Sequence, residues 1–177
     1  MLAIKRLLAP TLIQRYFSQG RRDRLRRRVE KKRVRQGKAH QVTVYLRIND
    51  AYSYVLLQVL EDLQQRLDIE YEFRTVLSLQ ADMYPAPELW NKNAFDDGQY
   101  FSELYAGEID FPANAPSSSD AEDAALTAQL LHWELQPNYL QNALSLFKAY
   151  WNNDEEGLLR LTDARVTKNF ECYQHHL

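Results

Sequence analysis

The sequence has very little cysteine: Cys172 is its only one. One cysteine cannot form an intramolecular disulfide, and it cannot supply the paired thiolates of a zinc or iron–sulfur site. The two-cysteine chemistry of dithiol oxidoreductases is excluded for the same reason. We expect Cys172 to be an inert thiol, and we predict no metal cofactor.

The sequence also lacks an apolar stretch long enough to cross a membrane. Residues 1–13 are apolar but are interrupted by Lys5, Arg6 and Pro10, whereas a membrane-spanning helix needs about 20 apolar residues. The cleavage site of a secretory signal peptide is not evident. The composition favours a cytoplasmic location, although a mitochondrial presequence has the same Arg-rich, acid-poor character.

Acidic residues are nearly absent from residues 1–40, which hold 14 of the 22 Lys and Arg against Asp23 and Glu30. This segment carries a net charge of +12, and residues 41–177 carry −14. The change of sign near His40 predicts a basic helical arm over 1–40 and a folded domain over 41–177. In the arm we expect a helix over 3–17, ended by Gly20.

Three interpretations of the basic arm are open. It can be a solvated helix lying against the acidic body of the same protein, which we favour. It can bind an anionic membrane surface or an acidic protein partner. Nucleic acid is the least favoured partner, because no aromatic residue lies between Arg21 and Lys38 to stack on bases.

The domain opens with a pattern typical of a βαβ unit. Apolar and polar residues alternate over 42–47 and again over 69–74, which predicts two strands. Between them apolar residues recur every three or four positions, which predicts a helix through about residue 67. The apolar stripe of this helix consists of Val55, Leu56, Val59, Leu60, Leu63 and Leu67. We expect parallel strands joined by a right-handed crossover.

After the second strand the pattern is helical, which predicts a large helical insertion over about 80–165. Helices are predicted over 95–106, 119–135, 138–151 and 155–170. Ser119 and Glu122 have the spacing of a capping box at the start of the second of these.

The loop between the first strand and its helix carries the candidate site. It lies at the carboxyl end of a strand, where α/β folds place ligands, and it leads into a helix N-terminus with unpaired amides. Its polar side chains are Asn49, Asp50, Tyr52 and Ser53. For Asp50 we favour the role of helix N-cap, with acid–base catalysis as the alternative.

Three segments of the chain carry a resemblance to a known family. They are Asp50-Ala-Tyr-Ser-Tyr54, Asn93-Ala-Phe-Asp-Asp-Gly-Gln-Tyr-Phe-Ser-Glu-Leu-Tyr-Ala-Gly107 with Phe111-Pro112, and Leu144-Ser-Leu-Phe-Lys-Ala-Tyr-Trp151. Together, over roughly 42–165, they resemble the DsbA-like family, especially its 2-hydroxychromene-2-carboxylate isomerases and kappa-class glutathione transferases. The resemblance implies a thioredoxin-like fold with glutathione as cofactor. It also implies that Asp50 and Ser53 are catalytic and that Asn49 and Tyr52 contact the cofactor.

The sequence departs from that family in two places. The family has serine and proline where this chain has Asp50 and Ala51; a carboxylate cannot donate a hydrogen bond to a thiolate unless it is protonated. The cis-proline and final strands of the family have no counterpart after Trp151. A two-stranded parallel sheet has unpaired edges, so we expect the missing strands to come from the rest of a longer chain or from a partner.

These features support two hypotheses of different classes. The first is a glutathione-linked isomerase, transferase or related oxidoreductase-family enzyme that acts on a small-molecule or thiol substrate and has no redox cysteines. The second is a non-catalytic interaction protein that uses the basic arm to bind an acidic partner or a membrane surface.

Overall fold

The computed structural model describes residues 18–79, 82, 84–163 and 166. The helix predicted over 3–17 and Cys172 lie outside this range. The chain divides into two units, residues 1–40 and 41–177. None of the helices described is long and apolar enough to cross a membrane.

The described part of the first unit is helix α1, Gln19–Arg35. Gly20, which we expected to end an earlier helix, lies instead in the first turn of α1, where the strong helix formers that follow outweigh one glycine. α1 ends in a Schellman motif: the Gly37 N–H donates to Val34 O, the Lys38 N–H donates to Arg33 O, and Gly37 has a left-handed φ of 60°. None of the side chains of α1 is buried.

The second unit begins with the predicted βαβ arrangement. β1, His40–Leu46, and β2, Ile69–Thr75, form a two-stranded parallel sheet. Val44 and Leu46 are buried and Tyr45 between them is exposed, so the predicted alternation is confirmed there, whereas Val42, two residues earlier, is 39% exposed. Within the described residues no further strand pairs with this sheet.

The helix between the strands, α2, is Ala51–Arg66, and its predicted apolar stripe is only partly buried. Leu56, Leu63 and Leu67 are exposed. The buried side chains of α2 are Ala51, Ser53, Tyr54, Leu57 and Leu60. Apolar residues occur on two sides of this helix, and the side that is buried is the one that faces the aromatic residues of a later helix.

Within the described residues, four further helices follow β2: α3, Pro87–Leu104; α4, Asp120–Trp133; α5, Tyr139–Trp151; and α6, Glu155–Leu161. The predicted capping box is confirmed: Ser119 Oγ accepts from the Glu122 N–H, and the Glu122 carboxylate accepts from the Ser119 N–H. These hydrogen bonds lower the pKa of Glu122.

The last helix is shorter than the predicted segment 155–170. The backbone becomes extended at Thr162, and the Asp163 N–H donates to the side chain of buried Gln129 at 3.0 Å. This tertiary hydrogen bond replaces the next turn of helix. Residues 164, 165 and 167–170 lie outside the described part of the chain.

The core of the second unit is an aromatic cluster between α2 and α5. The Tyr54 ring stacks on Trp151 at 5.8 Å with an interplanar angle of 7°, and it packs on Phe147 and Phe111 at 6.5 and 5.9 Å. The Trp151 indole N–H donates to Ile48 O at 3.2 Å. This hydrogen bond connects the aromatic cluster to the loop after β1.

Candidate functional site

The loop after β1 is stabilised by its own polar side chains. Asp50 is the N-cap of α2: its Oδ2 accepts from the Ser53 N–H at 2.9 Å and from the Ser53 hydroxyl at 2.7 Å. Ser53 Oγ in turn accepts from the Arg47 N–H at 3.2 Å. These hydrogen bonds place both candidate catalytic side chains in a local capping network. Ser53 is also buried, at 5% exposed.

The two predicted cofactor-contacting residues point to different helices. The Asn49 amide donates to Asp123 Oδ2 on α4 at 2.7 Å. The Tyr52 hydroxyl donates to Asp97 Oδ2 on α3 at 2.5 Å. The hydrogen bond to Asp97, with partial burial, raises the pKa of Tyr52 to about 12, so this phenol is protonated at neutral pH.

A cleft of about 200 Å³ opens where the two strands end. Arg47, Ile48 and Asn49 line it after β1, and residues 76–78 line it after β2. The first turns of α4 close it with Asp120 and Asp123. The arrangement brings the carboxyl ends of both parallel strands to the N-terminus of a helix, which is the ligand-binding position of α/β folds.

A second cleft of about 210 Å³ lies on the other side of the loop. Asp50 and Ala51 line it together with parts of α3 and α5 and the segment before α4. Asn49 and Asp123 belong to the walls of both clefts. Of the four predicted site residues, Asn49 and Asp50 therefore line clefts, whereas Tyr52 and Ser53 do not line either of these two.

Sequence reasoning missed a hydrogen-bonded group on the wall of the second cleft. Tyr150 OH donates to Asp123 Oδ1 at 3.0 Å, and the Ser118 hydroxyl lies 2.7 Å from the same oxygen and 2.9 Å from Tyr150 OH. Burial raises the pKa of Tyr150, and the nearby Asp123 carboxylate raises it further. Tyr150 lies 27 positions after Asp123. The only sequence signal for this group is the Tyr150-Trp151 pair at the end of an apolar helix.

Among the described residues, Arg47 is the only basic one on the walls of the two clefts. Its side chain lies over the Tyr84 ring at 5.3 Å, and its Nη2 donates to Tyr84 OH at 3.4 Å, rather than pairing with Glu70 or Glu72 on the neighbouring strand. Glu72 is occupied by Arg74 and Thr43. The first cleft therefore combines one guanidinium with the carboxylates of Asp120 and Asp123.

No metal-binding group appears in this part of the molecule. Among the described residues, no three His, Cys, Asp or Glu side chains are grouped as metal ligands.

Comparisons with known proteins add no relative. No family model, no curated protein and no solved structure matches this chain. The family resemblance consequently has only the quoted motifs as its support.

Replacing Asp50 with alanine should lower the free energy of unfolding by about 2 kcal/mol. The change removes an N-cap, which contributes about 1 kcal/mol, and it leaves the buried Ser53 hydroxyl without its acceptor. Asp50→Asn keeps an acceptor oxygen and should lose less than half as much. Urea unfolding followed by circular dichroism measures both variants.

Asp154 offers a matched control, because it caps the exposed helix α6 by accepting from the Gly157 N–H at 3.0 Å with no buried hydroxyl beside it. Asp154→Ala should cost only the cap, about 1 kcal/mol. Equal losses for Asp50→Asn and Asp50→Ala would contradict the capping role.

Proposed function

We propose that residues 41–177 form the body of a DsbA-like protein of the 2-hydroxychromene-2-carboxylate isomerase type, which binds glutathione or a related small thiol beside the loop 49–54. The observation that carries the proposal is the convergence of both strand ends and the α2 and α4 N-termini on adjoining clefts. The proposed activity is inferred from the resemblance of the motifs to that family.

The charges of the first cleft suit this ligand class. Glutathione carries two carboxylates and one ammonium group. The Arg47 guanidinium can bind a carboxylate by paired hydrogen bonds, and Asp120 and Asp123 can bind the ammonium. A neutral or purely anionic ligand would offer no cation to these two carboxylates.

In this proposal Asp50 is the acid–base group, since it lines the second cleft, and Ser53 orients it through their 2.7 Å hydrogen bond. Asn49, on the walls of both clefts, contacts the ligand by exchanging its hydrogen bond to Asp123. The contact of Tyr52, which lines neither cleft, is proposed from the resemblance alone. The proposal places the protein in the cytoplasm. Further strands, from a longer chain or a partner, complete the sheet, because the unpaired edges of β1 and β2 favour strand addition.

Isothermal titration calorimetry tests the proposal. Reduced glutathione should give saturable heat with the full chain. Arg47→Gln should weaken binding about 10-fold or more, the value of one charge-assisted hydrogen bond. S-methylglutathione, which lacks the thiol, separates recognition of the sulfur from recognition of the peptide.

Arg74→Gln is the matched control, because Arg74 pairs with Glu134 and Glu72 away from both clefts. It should leave the affinity unchanged. The absence of saturable heat at millimolar glutathione would end the enzyme proposal.

A second function is favoured by one observation: the basic helix α1 has no buried side chain. We propose that the arm attaches the protein to an acidic surface without taking part in chemistry. Deleting residues 1–40 should abolish that attachment and leave glutathione binding intact.

A further inference from the structure

The charges of α1 are sorted by helix face. Residues three and four apart lie above one another on a helix, so positions 21, 25, 28 and 32 form one row and positions 22, 26, 29 and 33 form the next. These two rows contain six Lys or Arg, with Leu25 and Val29 in the middle, and no acid. Asp23 and Glu30 share a different row with Arg27 and Val34.

The apolar residues of this face are open to solvent. Leu25 is 51% exposed and Val29 is 68% exposed. Glu30, in the row next to this face, pairs with Arg33 of the face at 2.8 Å, and the hydrogen bond from Arg33 lowers the pKa of Glu30. The Glu30 carboxylate therefore lies, ionised and paired with Arg33, at the edge of the basic face.

A short apolar strip between two rows of cations matches the boundary of an anionic bilayer. The apolar side chains enter the headgroup layer, and the long Lys and Arg side chains extend to the phosphates on both sides. Each such cation contributes about 1 kcal/mol near an anionic surface. Binding to single-stranded nucleic acid would favour aromatic side chains that stack on bases, and α1 has none.

The neighbouring sequence supports the same partner. Residues 1–17 contain no acid, three Lys or Arg, and many large apolar residues. Stable attachment to a bilayer needs two signals, an apolar one and a polybasic one. Residues 41–177, with a net charge of −14, are repelled by an anionic surface, which restricts binding to the arm.

We propose that the face of α1 formed by these two rows binds the surface of an anionic lipid bilayer. This inference rests on the second proposed function, attachment through the arm, and names its partner.

Vesicle flotation with the full chain is the test. The protein should float with vesicles of phosphatidylcholine and 30% phosphatidylglycerol (roughly the content that gives a strong surface potential) and stay behind with pure phosphatidylcholine. Raising the salt from about 0.1 to 0.5 M should release it, because the screening length falls. The variant Arg22→Gln, Arg26→Gln, Arg28→Gln should bind about 100-fold more weakly, at about 5-fold for each cation.

The matched control removes three cations from the other side of α1: Arg24→Gln, Arg27→Gln, Lys31→Gln. It has the same net charge and should bind at least about 10-fold more tightly than the first variant. Circular dichroism of both variants verifies that the helix is retained. Equal weakening by the two variants would overturn the assignment of the face.

Polyglutamate and duplex RNA are added as alternative partners. They distinguish the inference of a lipid partner from the more general proposal that the arm attaches the protein to an acidic surface. If the protein does not float but binds either polyanion, the lipid inference is overturned and attachment through the arm still stands. Failure to bind any of the three would overturn both.

Discussion

Replacing Tyr54 with alanine should lower the free energy of unfolding of the second unit by about 4 kcal/mol. The ring is 1% exposed and stacks on Trp151 and Phe147. Its removal leaves a cavity between α2 and α5 that rigid neighbouring rings cannot fill. With a urea slope of about 2 kcal/mol per M, the unfolding midpoint should fall by about 2 M.

Tyr54→Phe is the control for the ring. It keeps all the stacking and removes only the hydroxyl, so the loss should be about 1 kcal/mol or less. If the two variants unfold at the same urea concentration, the stacked ring is not what stabilises the interface between α2 and α5.

The same control has a signature in alkali. Burial raises the pKa of Tyr54 to about 12, with the Asn152 side chain opposing the shift. The contribution of this hydroxyl is complete below pH 10, the ordinary tyrosine value, and is lost as the pH rises toward 12, because the unfolded chain releases its proton first. Between pH 10 and 12 the stability of Tyr54→Phe should therefore fall less steeply than that of the parent protein.

Replacing Trp151 with alanine should cost about 4 kcal/mol and should also loosen the candidate site. Trp151 is 3% exposed, packs on Phe111 at 5.2 Å, and donates to Ile48 O in the segment just before Asp50. Its loss leaves a buried carbonyl without a donor. Amide hydrogen exchange of residues 47–53 should accelerate along with the fall in stability.

Two variants separate the contributions of Trp151. Trp151→Phe keeps part of the packing and loses the donor, so it should cost about 2 kcal/mol. Trp90→Ala removes an indole that is 52% exposed and should cost about 1 kcal/mol or less. An unchanged exchange rate at residues 47–53 in Trp151→Ala would show that the indole does not hold the loop.

Local features of the chain were predictable because they depend on neighbours in the sequence. The alternation around Val44 and Leu46 identified β1, the Ser119 and Glu122 spacing identified the capping box of α4, and the position of Asp50 before a helix identified its N-cap. In each case the hydrogen bond or the face is determined within a few residues.

The buried face of α2 could not be predicted in the same way. Both sides of the helix carry apolar residues, and periodicity alone favoured the side with Leu56 and Leu63. The structure buries Tyr54 and Leu57 instead, because the aromatic residues of α5 pack against that side. The choice depends on a contact between residues almost 100 positions apart.

In the candidate site, too, some features depend on the local sequence and others depend on tertiary contacts. The sequence by itself determined that the loop 49–54 contains no redox cysteine, that it starts a helix, and that a basic arm precedes an acidic body. Only the tertiary structure decided that Ser53 is buried in a capping network, that Asn49 binds Asp123, and that Tyr150 completes the cleft. Hydrogen bonds such as Asn49 to Asp123 join residues 74 positions apart, and their formation follows from the packing of α4 and α5 against the sheet rather than from any local pattern.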